Sequence, residues 1–147
     1  MRTAWNTKDR RALADRVRRL RPDSRAAWGR MNAPQMVSHL IEALRMALGE
    51  LRCTPKSLPI RYPPLKQFVI YWMPFPKGAP TARELIARPP GEWNVDLAEL
   101  QRLLEVCASR GPQAAWPDHP AFGRLSSRGW GVLIYRHTDH HLRQFGV

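Results

Sequence analysis

Apolar positions recur at helical spacing in four stretches of the chain, and a long segment rich in proline interrupts them. Between Thr7 and Leu20, the residues Leu13, Val17 and Leu20 follow one another at steps of four and three with arginines between them, the pattern of an amphipathic helix that Pro22 closes. A second helix is predicted from Asn32, whose side chain can cap the first turn. Pro34 lies in that turn, Gln35 completes an N-x-x-Q capping box, and the helix should run to about Gly49. Its apolar arc is Met36, Leu40, Ala43 and Ala47, which leaves Ser38, Glu42 and Arg45 expected on the far side.

From Thr54 to Glu92 prolines recur at Pro55, Pro59, Pro63, Pro64, Pro74, Pro76, Pro80, Pro89 and Pro90, so no long helix can form there. Within this crossover Leu65, Phe68, Val69 and Trp72 share helical spacing. They predict a short helix packed over one end of the core, with a strand as the alternative. A third long helix is expected with Asp96 as its cap and Glu99 as box partner. Leu97, Leu100, Leu104, Cys107 and Ala108 form its stripe, and Gly111 ends it. After a loop from Pro112 to Ser127, the last helix runs to about Phe145, with Gly129 and Gly131 weakening its first turn. Four long amphipathic helices and one proline-rich excursion describe an all-α protein: a four-helix bundle in a single domain, residues 1–147, whose long crossover joins helices two and three and carries a short extra helix.

Composition changes this picture little. A length of 147 residues suits one core, and a net charge of +12 raises nucleic acid or an acidic membrane as a partner. The excess charge lies in the first third, at Arg10, Arg11, Arg16, Arg18, Arg19, Arg21, Arg25 and Arg30, without an aromatic platform, a helix-turn-helix spacing or a glycine-rich RNA loop. It reads as a solvated helix face rather than a nucleic-acid surface. Met1 to Arg11 contains no apolar run that could serve for export, and the longest apolar run, Phe68 to Phe75, is far shorter than the roughly 20 residues that cross a bilayer. Cys53 and Cys107 are far apart and suit a reducing compartment. A cytoplasmic protein with a small-molecule substrate and no membrane partner is expected. Homodimerisation through the basic first helix or the tryptophan-rich crossover stays open.

The chemistry is in the histidines. On a helix that advances about 100° per residue, His137 and His141 lie within about 40° of each other. They share an arc with Trp130, Leu133, Ile134, Gln144 and Phe145, whereas Arg136, Asp139 and Arg143 point away. His39 borders the apolar stripe of the second helix, so three imidazoles should enter the interior. A divalent cation would satisfy one nitrogen on each ring, and three neutral ligands would leave it open positions for water or substrate. By spacing alone, hydrogen-bonded core histidines are an equal alternative. His140 falls at the edge of the arc and reads as a supporting or surface residue. His119, in a loop with Pro120 and Phe122, reads as a buttress, with a ligand or acid/base role as the alternative. Trp28, Trp72 and Trp130 are assigned to the core, with the lining of an apolar pocket near the metal as the alternative.

The stretch HTDHHLRQFG, His137 to Gly146, resembles the last helix of the DinB/YfiT-like superfamily, in which an H-x-x-H-H pattern followed by Gln supplies two metal ligands. His137 and His141 match those ligands, and His39 in MNAPQMVSHL matches the third. More closely, WGRMNAPQMVSHL (Trp28 to Leu40), HPAFG (His119 to Gly123) and WGVLIYRHTDHHLRQFGV (Trp130 to Val147) resemble the family known as domain of unknown function 1569. The resemblance implies a metal-dependent thiol transferase or hydrolase on a four-helix bundle. Zinc or nickel would be held by His39, His137 and His141, with a low-molecular-weight thiol as cosubstrate. A metal-binding or stress-response module without turnover is the alternative. The arginine that often follows the last ligand in the superfamily is Leu142 here, with Arg143 one place later, so no role passes to it. Gln144 keeps its place, where it would either orient a ligand or simply end the helix.

Overall fold

Each long helix begins where a side chain satisfies the free amides of its first turn. In the computed structural model, which describes all residues 1–147, Asn6 accepts from the Asp9 amide and opens α1, Thr7–Val17. Asn32 and Gln35 form the reciprocal box that opens α2, Ala33–Leu48. Ser126 accepts from the Gly129 amide and opens α5, Ser127–Gln144. Between α2 and the next long helix, the crossover holds α3, Leu65–Tyr71, flanked by 3-10 turns at Pro59–Arg61 and Arg83–Ile86. The chain is all-helical, with five α-helices and no strand.

Some expectations shift. The helix α4 covers Trp93–Arg110 and is capped by Glu92, which accepts from the amides of Asn94 and Val95, so it starts one turn before the predicted Asp96 cap. Asp96, released from that task, accepts from the Gly91 amide at 2.8 Å and from Arg88 at 3.1 Å, and so fastens the end of the crossover to α4. The helix α1 ends at Val17 rather than Leu20, yet Leu20 stays buried because a turn after Val17 carries it back to the core.

The largest correction concerns α2. Ser38 and Glu42, expected on its far side, are 3% and 6% exposed. The crossover returns over that side of the helix, and its polar groups are matched one by one. Ser38 Oγ donates to the Arg88 carbonyl at 3.0 Å, Glu42 lies 3.0 Å from Arg45 and 3.1 Å from Arg88, and Arg45 reaches Glu99 at 3.2 Å. A buried carboxylate is tolerable only when paired in this way. With both sides covered, α2 is the central element of the hydrophobic cluster. Met36, Val37, Leu40 and Ile41 from α2 join Leu13 and Val17 from α1, Leu100 and Leu103 from α4, and Trp130 and Leu142 from α5.

The short helix also turns a different face inward. Val69 and Ile70 are buried, whereas Leu65, Phe68 and Trp72 are 40%, 53% and 73% exposed, so Trp72 does not belong to the core. The reason lies at its C-terminal end, where the Arg136 guanidinium donates to the carbonyls of Val69, Ile70 and Met73. A cation on the last carbonyls of a helix is favourable, and here it pins the orientation of α3 against α5. Arg136 leaves the histidine face, as predicted, but ends in this bond set rather than in water. Gly131 is likewise a packing requirement more than a weak point. A Cβ there would stand 2.4 Å from Trp5 Nε1 and 2.5 Å from Thr3 Oγ1, because the N-terminal segment crosses α5 at this residue.

No helix is long and apolar enough to cross a membrane. Both cysteines are free, and burial pushes the Cys107 thiol up to about 12, which keeps it a small protonated core side chain.

Candidate metal centre

The central helix α2 delivers His39 opposite the two turns of α5 that carry His137 and His141. The three rings meet nearly edge to face: centroids are 5.0 Å apart for His39 and His137, 4.9 Å for His39 and His141, and 4.9 Å for His137 and His141. One nitrogen of each ring lies within 4.8 Å of the others, and Nε2 of His39 is 3.1 Å from Nε2 of His137. With metal-to-nitrogen distances of about 2.0–2.1 Å, tetrahedral ligands stand roughly 3.3 Å apart. The three histidines could therefore form a metal site.

Hydrogen bonds on the outer nitrogens decide which way two of the lone pairs face. His39 Nδ1 lies 3.3 Å from the Leu85 carbonyl, which can only accept, so the ring proton is on Nδ1 and the lone pair of Nε2 faces the cluster. His141 Nδ1 lies 2.8 Å from Gln144 Oε1, while Gln144 Nε2 donates to the Trp28 carbonyl at 2.6 Å. The amide is therefore oriented with its oxygen toward His141, which must donate from Nδ1 and present Nε2 inward. Partners of this kind fix ring orientation and raise the basicity of a ligand. Gln144 thus supports a candidate ligand in addition to ending the helix. Gly29 makes that clamp fit: at φ +84° its own Cβ, were there one, would meet Gln144 Nε2 at 2.6 Å.

Desolvation is the largest influence on every one of these rings. It holds His39 below the usual imidazole range, His141 at about 3 and His137 well below its ordinary value, and the neighbouring imidazoles push His137 and His141 further down. All three are neutral at physiological pH, the form that binds a cation. Without one, two inward lone pairs of a buried trio would have at most the single ring proton of His137 to share.

The remaining histidines surround this group without joining it. His119 Nδ1 accepts from the amides of Ala121 and Phe122 at 3.1 and 3.3 Å, inside a loop closed by reciprocal backbone bonds between His119 and Gly123. Both partners are donors, so the proton of this ring is on Nε2. Its ring rests 4.9 Å from Phe122 and 5.4 Å from Trp130, the geometry of the predicted buttress. His140 stands 5.2 Å from His141 and is flanked by Trp28 at 5.6 Å and Phe75 at 5.9 Å. Of the tryptophans, Trp130 is 1% exposed, whereas Trp28 is only partly buried and borders the cavity beside the histidines, with Lys77 Nζ 4.6 Å above its ring.

That cavity, about 940 Å³, extends from the three imidazoles along α2 and α5 to the crossover. Its walls are Leu44, Met46, Ile60, Val69, Phe75 and Leu133, with Arg30 and Lys56 as its cationic members and no Asp or Glu. Trp28 and Trp130, but not Trp72, do line this chamber, as the alternative to core burial had it; the extent of the chamber and the Leu85 carbonyl leave no trace in the sequence. A main-chain carbonyl carries no side-chain signal, and the chamber walls come from segments distant in sequence. The Trp28-Gly29 pair was visible only as part of a motif, without its contact to Gln144.

Comparison with curated proteins finds no match, and comparison with solved structures finds none. The family described as Protein of unknown function (DUF1569) matches residues 4–146, nearly the whole chain, and the protein belongs to that family.

Proposed function

We propose that His39, His137 and His141 hold one divalent first-row ion, zinc or nickel, and that the protein is a metal-dependent enzyme of the DinB/YfiT-like type acting on a thiol or on water. In this reading α1, α2, α4 and α5 constitute the four-helix bundle of that superfamily, in one domain and in the cytoplasm. The observation that carries it is the convergence of three neutral imidazoles, two of them with the outer nitrogen already bonded, His39 to Leu85 and His141 to Gln144. Such an ion supplies a Lewis acid that lowers the pKa of a bound thiol or water toward neutrality. The protein contributes positioning: Leu85 and Gln144 hold two rings, the Trp28 carbonyl holds Gln144, and Phe75 and Leu133 give the cavity beside the rings apolar walls. His119, with its proton on Nε2, can donate to a ligand in the same chamber.

Elemental analysis of the purified protein beside His39→Ala and His137→Ala tests the assignment. Near-stoichiometric metal in the parent and its loss from both variants is expected, and equal content in all three would reject it. Incubation of the metal-loaded protein with cellular thiols and an electrophile then separates turnover from an ion that merely clasps α2 to α5.

A further inference from the structure

The cavity beside the histidines is much larger than a water molecule or a short thiol requires, and its polar groups are one-sided. A chamber of about 940 Å³ is at the upper end of what small-molecule sites enclose. Its apolar walls, Leu44 and Met46 from α2, Ile60, Val69 and Phe75 from the crossover and Leu133 from α5, surround space that a polar substrate would leave poorly matched. Ionic groups in the lining are cationic only, Arg30 and Lys56. The three candidate ligands are neutral, so an ion bound to them would keep its full double charge, with no carboxylate in the chamber lining to offset it.

Resting on the metal reading, we propose that this site takes an amphipathic anion: a ligand with one anionic donor atom, thiolate or carboxylate, directed at the three histidines, and an apolar body of medium-chain size lying between α2, α5 and the crossover. The head is selected by charge, since the ionic groups of the chamber lining, Arg30 and Lys56, are both cationic. The body is selected by burial, and each methylene moved from water into the chamber should strengthen binding about fourfold. Thiolate and carboxylate share the charge and differ in affinity for a first-row ion, so the experiment separates them.

The test uses the full-length protein loaded with cobalt(II) as a spectroscopic probe, titrated with butane-, hexane- and octanethiol, with the matching alkanoates, and with 1-octanol. Visible cobalt bands report the donor atom, and tryptophan fluorescence reports filling of the chamber, because Trp28 and Trp130 line it. Affinity should rise about fourfold per methylene, with a sulfur-to-cobalt band if the head is a thiolate and without one if it is a carboxylate. Octanol should bind at least tenfold more weakly than the better anion. Ile86→Glu, at a cavity position that is 54% exposed and so tolerant of charge, should weaken the anions several-fold more than octanol, whereas an equal loss for both would count against selection by charge. A flat chain-length series in cobalt uptake-competent protein would overturn this proposal while the metal reading stands. Failure to take up cobalt would overturn the metal reading instead. The same titration of metal-free protein by fluorescence then decides this proposal, which falls if neither chain length nor head charge affects binding.

Discussion

Gln144 accepts a hydrogen bond from His141 Nδ1 at 2.8 Å and donates from its own amide nitrogen to the Trp28 carbonyl at 2.6 Å, so that one side chain both holds the imidazole and links the end of α5 to the segment before α2. His141 is thereby held in the tautomer that presents Nε2 to His39 and His137. The same bond pair explains why Gly29 stands where it does.

Gln144→Leu should therefore leave the helical content intact and lower zinc affinity about 10- to 100-fold, as loss of an outer partner does at other histidine sites. Gly29→Ala should produce a similar fall, since the added methyl would strike the amide and the backbone there is left-handed. Competition against a chelating dye measures both. Unchanged affinity in the two variants would show that the clamp is not needed for metal.

Metal should stabilise the fold by linkage. With free zinc at about a hundred times its dissociation constant, unfolding becomes harder by about 2.7 kcal/mol, a rise in Tm of roughly 5–10 °C for a chain of this size. Differential scanning fluorimetry with zinc, then with excess chelator, should show the rise and its reversal. His137→Ala should show neither.

Stability should fall in mild acid. Burial pushes the His119 pKa from 6.5 down to about 4, so below pH 6.5 the unfolded chain binds a proton that the folded chain refuses. Protonation of Nδ1 would also break the two amide bonds that close its loop. The stabilisation present above pH 6.5 is lost as pH drops toward 4, by an amount on the order of 2 kcal/mol for this residue. Urea titrations of metal-free protein at pH 7 and pH 4.5 should show the loss. His119→Asn, which keeps an acceptor for the loop but does not titrate, should reduce it.

The crossover should depend on one partly buried cation. Arg88→Met leaves Asp96, 6% exposed, without the guanidinium that it accepts from, and should destabilise the protein by about 3 kcal/mol. Arg18→Ala removes an ion pair whose side chains are 59% and 65% exposed, and thermal unfolding should register less than about 0.5 kcal/mol. Equal effects would mean that the network beneath the crossover carries no weight.

The helices, the common face of His137 and His141 and the inward side of His39 are legible in the chain alone, because each follows from local rules. An Asn-to-Gln capping box, proline punctuation and the 3.6-residue period act within one or two turns, and they place α2, α3 and α5 close to their observed limits. His137 and His141 share a face for the same reason, four residues being about one turn. Membership in the DUF1569 family was legible in the same motifs. What the crossover does emerges only in the folded chain, since its position follows from contacts between segments dozens of residues apart. It buries Ser38 and Glu42, turns Phe68 and Trp72 outward, offers the Leu85 carbonyl to His39 and encloses the acid-free chamber. A side chain's period tells which face of its helix it occupies, but not which other segment will cover that face, and at this site the covering segment supplies the partner that orients His39.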